Sequence, residues 1–363
     1  MGHRFRQKAM QRTLAENKLD AVLVTHPPNV RYLCGFTGSA GALMLSENKS
    51  VFFTDGRYAE QSRAEVRGPK ILIAPEEPLI RAGKWLASKE SGFRKKANIG
   101  IEGDFLTVAG LSRLKSVLGK GIQLIASPTL TEQARLIKDE DELVSIRAAA
   151  SLGEKLWKQA RSLVRPGVKE AHISAELEYA ARRAGAQGMS FDTIIASGKR
   201  SALPHGVASV AAIPAQGFVV CDFGVILSGY CSDMTRTIFV GQPSKDYRRA
   251  YEAVRRAQEA AVAAVKPGAV VGDVDSAARN LLKLKGLEKY FTHSTGHGVG
   301  LEIHESPRIA SGRKEILKPG MVITIEPGVY VPGEYGIRIE DMVLVTEQGR
   351  EVLTPSSKEL FTI

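Results

Sequence analysis

Asp222, Asp233, Glu326 and Glu340 lie in two segments that read as apolar β-hairpins, FVVCDFGVILSGYCSDMTRTIFV (218–240) and MVITIEPGVYVPGEYGIRIEDMVLV (321–345). Asp222 and Asp233 flank a Ser-Gly turn at 228–229, and Glu326 and Glu340 flank Pro-Gly at 332–333. Residues about equally far from a hairpin turn face each other across the ladder. Neighbours such as Val219, Val220, Ile323, Ile325, Ile337 and Ile339 predict that both hairpins are buried. Like charges facing each other in a buried sheet are costly. Two such pairs in one chain call for cations, where a single pair would read as exposed acids or an ordinary ion pair. Four carboxylates match two divalent ions in charge, and an imidazole completes a dinuclear set holding a bridging water or hydroxide. His297 in GHGVG (296–300) is that fifth ligand, with glycines on both sides allowing close approach. Carboxylate-rich ligation with one histidine favours Mn²⁺, with Zn²⁺, Co²⁺ and Fe²⁺ as alternatives. Cys221 is adjacent to Asp222, so it faces the other side of the strand and belongs to the core.

The elements that must position these groups form a faint internal repeat. Arg165-Pro166-Gly167 and Lys266-Pro267-Gly268 are 101 residues apart, and each stands between two helical runs. The run from Leu143 to Val164 leads to HISAELEYAARRAG, and the second Pro-Gly leads to DVDSAARNLLKLKG. PHGV (204–207) and GHGVG then precede the two hairpins. Two pseudo-symmetric halves of this kind place a pocket at their junction. The first third differs: strands at 21–25, 42–46, 50–54, 71–74, 98–102 and 122–126 alternate with helices at 57–66, 79–90 and 105–118, an α/β pattern. A chain of 363 residues is long enough for two domains. The change in character at SPTLTEQARLIKDEDE places the boundary at 130–138, giving domains 1–134 and 135–363.

The net charge of +11 is concentrated at the N-terminal end, where residues 1–138 hold 22 Lys and Arg against 12 Asp and Glu. Apart from Arg94-Lys95-Lys96 it is scattered, without the interleaved aromatics of single-strand binders, so a solvated basic surface is expected rather than a nucleic-acid site. No apolar run approaches the roughly 20 residues a membrane helix needs. The N-terminus has no apolar signal core, and three cysteines form no CxxC, so a cytoplasmic protein with reduced thiols is expected.

The motifs CDFG (221–224), SDMTRT (232–237), STGHGVGLEIHE (294–305), TIEPGVY (324–330) and GIRIED (336–341) resemble those of the pita-bread metallopeptidases. VTHPPNVRYLCGFTGSAGALML and FFTDGRYAEQS resemble the N-terminal domain of the aminopeptidase P and prolidase branch. The resemblance implies an α/β creatinase/prolidase-like N-terminal domain and an α+β pita-bread catalytic domain. It implies that Asp233 and Glu340 bridge both metals, that Asp222 completes one site, and that His297 and Glu326 complete the other. Glu326 would move a proton from the water toward the leaving nitrogen. His205 and His304 match two pocket histidines that bind the substrate carbonyl and the developing gem-diolate. Arg338, two residues before Glu340, would orient a bridging carboxylate or steady the diolate. His293, Tyr330 and Arg308 are candidates for substrate contact, Arg308 because a matching arginine in some prolidases meets the substrate carboxylate. The implied activity is hydrolysis of the Xaa–Pro bond of proline-containing peptides. Xaa-Pro aminopeptidase is the first reading and Xaa-Pro dipeptidase the alternative. A non-catalytic binding module and a creatinase-like amidinohydrolase stand behind both. The branch also implies a homodimer, with 31–40 as a candidate rim of the entrance.

Overall fold

The computed structural model describes residues 2–93, 96–127 and 129–363. Arg94 and Lys95 of the basic triplet therefore lie outside the described residues. The chain divides into two compact units, Met1–Arg135 and Leu136–Ile363.

The N-terminal unit is built on a six-stranded mixed sheet in the order 70–73, 50–54, 41–46, 21–24, 97–101, 122–126. Its central strand, Ala21–Val24, is buried at every residue. It pairs antiparallel with Gly41–Ser46 and parallel with Ala97–Ile101. The strands expected from the sequence are all present, as are helices at Ala59–Glu65, Pro78–Ala87 and Val108–Val117. Three further helices, His3–Glu16, Pro27–Cys34 and Leu130–Arg135, were not apparent from apolar periodicity. The first buries Arg6 and Gln7 beside Met10 and Leu14. Those polar side chains reach backbone carbonyls, Gln7 Nε2 donating to Leu33 and Arg67 at 2.8 Å and Arg6 Nη1 donating to Tyr32 at 3.2 Å. The second opens on Pro27-Pro28, where a missing N–H costs nothing because the first turn has no partner for it.

In the C-terminal unit the repeat is physical. Helices Glu140–Leu163 and Glu170–Arg183 form one pair, and Lys245–Ala264 and Val271–Leu284 the other. The two Pro-Gly turns have the same left-handed glycine, with φ of 83° at Gly167 and 81° at Gly268. Gly167 N–H donates to Ile213 at 2.8 Å, and Gly268 N–H to Leu317 at 2.9 Å. Ile213 and Leu317 return bonds to Val168 and Ala269. Each half adds a sheet. One runs 361–362, 234–240, 217–223, 194–197, and the other 305–309, 296–298, 322–325, 341–346, 349–352. The first helix pair packs on Val219, Cys221 and Phe223, which leaves the alternate residue Asp222 to the opposite face. Cys221 is thus a core residue, and burial pushes its thiol up to about 12.

The hairpin registers correct one expectation. Asp222 pairs with Thr235, not with Asp233. Asp233 stands outside the ladder because the first hairpin breaks at Gly224, whose neighbours Val225–Leu227 turn away to pair with Tyr230–Cys231 and Gly188–Met189. A side chain at Gly224 would collide with the Ser232 carbonyl, so the break depends on that glycine. The second hairpin keeps the expected arrangement. Ile325 pairs with Asp341 and Gly328 with Arg338, which leaves Glu326 and Glu340 opposite each other in the gap between two ladders. Breaks in both hairpins release carboxylates from regular pairing at the places where they must converge.

Candidate metal centre

One ligand atom each from Asp233, His297 and Glu340 lie within 4.8 Å of one another. His297 Nε2 is 3.3 Å from Glu326 Oε1 and 3.7 Å from Asp233 Oδ2. Asp222 joins the same cavity of about 770 Å³, as do His205, His293, His304, Arg308 and Arg338. All five residues proposed as ligands therefore come together, although they are distributed over 119 positions of sequence. The glycines beside His297 serve backbone packing. A side chain at Gly296 would strike the Thr324 carbonyl, and one at Gly298 the Ser306 carbonyl, so the strand needs glycine on both sides of His297.

The electrostatics favour a cation. Burial pushes Asp233 well above the ordinary carboxylate range, and Glu340, Asp222 and Glu326 push it further. Burial does the same to Glu340, with Glu326 and Asp222 adding to it. Glu326 is pushed up to about 8 by burial, with Arg338 opposing and Asp222 reinforcing the rise. Two carboxylate charges within 4.8 Å of each other repel by at least about 3.5 kcal/mol at an effective dielectric near 20. His297 is complementary: burial lowers it to about 4, so it is neutral at pH 7. Its Nδ1 lies 2.9 Å from the Gly298 carbonyl, which can only accept, so the proton sits on Nδ1 and the Nε2 lone pair faces the acids. Asp222 lines the same cavity, and its Oδ1 is buried without a hydrogen-bond partner. These donors fit a pair of divalent ions: hard oxygens with one imidazole, one orphaned oxygen, and more negative charge than Arg338 balances.

Arg338 does more than strand alternation implied. Its strand ends at Arg338 itself, and Glu340 lies past that end. The guanidinium donates to Asp222 Oδ2, to Tyr330 Oη at 2.5 Å and to the Pro204 carbonyl at 2.9 Å. It reaches Glu340 through Thr235, whose hydroxyl accepts from Arg338 Nε at 3.2 Å and donates to Glu340 Oε2 at 2.7 Å. Tyr330 is buried behind the wall and does not line the cavity. His293 Nδ1 donates to the Ser294 carbonyl at 2.8 Å, so its Nε2 accepts from the Tyr330 hydroxyl at 3.0 Å. Both nitrogens of His293 are engaged with protein, and the Arg338–Tyr330–His293 chain is a brace where substrate contact was expected. His304 and His205 are exposed at the cavity, with the His304 ring 4.4 Å from that of His297, edge to face. Arg308 is also exposed there.

Several residues were not singled out from sequence. Thr324 matches Thr235 in function: its hydroxyl accepts from His297 N–H at 3.1 Å and donates to Glu326 Oε1 at 3.3 Å. Each threonine is two residues from an acid, Thr235 from Asp233 and Thr324 from Glu326, and that spacing was the available signal. Below Glu340, buried Arg236 holds the Glu340 carbonyl and pairs with Asp341 at 2.7 Å. Lys358 Nζ meets the other oxygen of Asp341 at 2.7 Å, so the buried carboxylate is held by two cations.

An α/β unit followed by a pita-bread unit with a carboxylate cage defines a class of two-domain metallohydrolases. Residues 144–347 match the model of metallopeptidase family M24, and residues 6–137 match the creatinase/prolidase N-terminal domain. The chain belongs to metallopeptidase family M24. It is 38% identical over 347 residues to an Xaa-Pro dipeptidase of Pyrococcus horikoshii, covering 95% of each chain. It superposes on an Xaa-Pro dipeptidase from Bacillus anthracis with a TM-score of 0.95 at 40% identity, over 100% of both chains. It superposes on an X-Pro aminopeptidase from Thermotoga maritima with a TM-score of 0.88 at 34% identity, over 99% of both.

Proposed function

We propose that the protein is a metal-dependent Xaa-Pro dipeptidase. The carrying observation is the convergence of Asp233, His297 and Glu340 within 4.8 Å on the wall of a cavity that also presents Arg308. Sequence reading placed the aminopeptidase first. The relatives named as Xaa-Pro dipeptidases favour the other order. A dipeptide carries its carboxylate one residue beyond the scissile bond, and an exposed arginine in the cavity suits that anion.

Two divalent ions, with Mn²⁺ the favoured pair, would be held by Asp222, Asp233, His297, Glu326 and Glu340, and would supply Lewis acidity and a hydroxide at neutral pH. The remaining work falls to side chains. Glu326 takes the proton of the attacking water and delivers it to the departing proline nitrogen. His304 and His205, exposed at the cavity, donate to the carbonyl oxygen as it gains charge. Arg338 holds Asp222 directly and Glu340 through Thr235.

The test is hydrolysis of Ala-Pro, Ala-Pro-Ala and Ala-Ala by Mn²⁺-loaded protein with a chelator control. Cleavage of Ala-Pro well above Ala-Pro-Ala is expected, and preference for the tripeptide would return the aminopeptidase reading. Arg308→Ala should raise KM for Ala-Pro roughly tenfold or more and leave kcat nearly unchanged, since it removes binding common to ground and transition states. A fall in kcat at constant KM would exclude a carboxylate clamp. Arg338→Lys keeps the charge but loses the fork that meets Asp222, Tyr330, Thr235 and Pro204 together. It should lower kcat/KM by about 10- to 100-fold. Kinetics equal to the parent would remove its role in orienting the acids.

A further inference from the structure

We propose that Glu170 is the positioning residue for His205, acting from outside the cavity. Glu170 opens the helix Glu170–Arg183 and is fully buried. Five donors converge on its carboxylate, and all come from residues 197–209, the segment that carries His205. Oε1 accepts from Ser197 N–H and Ser197 Oγ, each at 2.8 Å. Oε2 accepts from Arg200 Nε at 3.0 Å, Ser209 N–H at 3.1 Å and Ser209 Oγ at 2.7 Å. Arg200 Nη2 extends the clamp to the Val207 carbonyl at 2.9 Å, two residues from His205. The other side of the segment is held by Arg338 at the Pro204 carbonyl and by Gly336 N–H at Ser201 Oγ, 2.7 Å. A side chain at Gly336 would strike the Ser201 carbonyl.

The internal repeat supplies a control. Glu170 N–H donates to the Ala211 carbonyl at 3.0 Å, and Val271 N–H donates to the Glu315 carbonyl at the same distance in the second half. The preceding residues make matching bridges, Lys169 with Ala212 and Val270 with Ile316. Val271 therefore occupies the position of Glu170, and it too is fully buried. The architecture accepts an apolar residue there, so the carboxylate of Glu170 is not required by helix packing. What differs is the bonding: only at Glu170 does a carboxylate gather the segment that carries a cavity histidine, here His205. Displacement of a reacting group by about 1 Å can cost on the order of 100-fold in rate.

The inference rests on the reading that His205 meets substrate in this cavity. The test uses the Mn²⁺-loaded full chain with Glu170→Gln, Glu170→Val, His205→Ala and the Glu170→Gln/His205→Ala double variant. Glu170→Gln keeps the shape but turns an amide NH₂ toward at least one set of donors. It should lower kcat/KM for Ala-Pro about 10- to 100-fold, mainly through kcat. In the His205→Ala background the same change should cost less than about twofold, because the group it positions is gone. Hydrogen–deuterium exchange should quicken in 197–209 and remain unchanged in 296–298. An equal loss in both backgrounds, or unaltered kinetics and exchange, overturns the proposal. Should Glu170→Val fail to fold, the glutamine variant still decides. If the parent does not cleave Ala-Pro, the substrate reading fails, while exchange still reports whether Glu170 holds the segment.

Discussion

Exchanging Asp233 for asparagine, or Glu340 for glutamine, is expected to lower kcat for Ala-Pro on the order of 10³-fold or more while the chain stays folded. The size follows from what the ligands hold: bound metals contribute several kcal/mol of transition-state stabilisation, and each 1.36 kcal/mol is about tenfold in rate. The same two variants should melt higher than the parent once metal is stripped by chelator. Asp233 and Glu340 are both buried and both driven above the ordinary carboxylate range, first by burial and then by neighbouring acids. A neutral isostere removes the cost of burying an ionisable acid among other acids, roughly 3 kcal/mol, and about 2–4 °C per kcal/mol is typical at this domain size. Steady-state kinetics and melting curves with chelator check the two halves together. Near-parental turnover, or a stripped variant melting below the stripped parent, would remove these acids from the centre.

The second large effect is the response of the metal-stripped protein to pH. Asp233, Glu326 and Glu340 have folded-state affinities for protons above their unfolded values, Glu326 reaching about 8. Below about pH 4 both states hold these protons, and the folded state is at its full stability with respect to them. From there to about pH 8 the unfolded chain has released protons that the folded cage still binds, so stability falls as pH rises. The loss amounts to several kcal/mol, or on the order of 10 °C in melting temperature. With Mn²⁺ present the acids are ionised and paired, and proton competition for the ligands fades as pH rises. Melting temperatures with chelator and with Mn²⁺ should therefore diverge from pH 4 to pH 8. Comparing the two curves cancels groups elsewhere in the chain. Parallel curves would mean that the acids are not a buried cluster.

Much of this was legible because the chemistry is costly. Four acids in apolar strands have few explanations, and His297 between two glycines has few others, so Asp222, Asp233, Glu326, Glu340 and His297 stand out as candidate ligands from type and surroundings. The Pro-Gly repeat was readable because its turn needs a left-handed glycine, and Gly167 and Gly268 adopt that conformation. Register was less legible. Counting from a turn placed Glu326 opposite Glu340 correctly and misplaced Asp233, because nothing local announces that Gly224 breaks a ladder against the Ser232 carbonyl. Helix His3–Glu16 was hidden by a buried face containing Arg6 and Gln7, whose partners are carbonyls far along the chain. The supports of the centre were hidden in the same way. Thr235, Thr324 and Glu170 act through hydrogen bonds to residues remote in sequence, and such bonds leave no periodic trace.

The most direct test of the account is titration of Mn²⁺ into metal-stripped protein while Ala-Pro hydrolysis and bound metal are followed together. Hydrolysis should be absent without metal and should rise to saturation as two ions bind per chain. Full turnover with metal removed, verified by elemental analysis, would contradict a dinuclear hydrolytic centre at Asp222, Asp233, His297, Glu326 and Glu340.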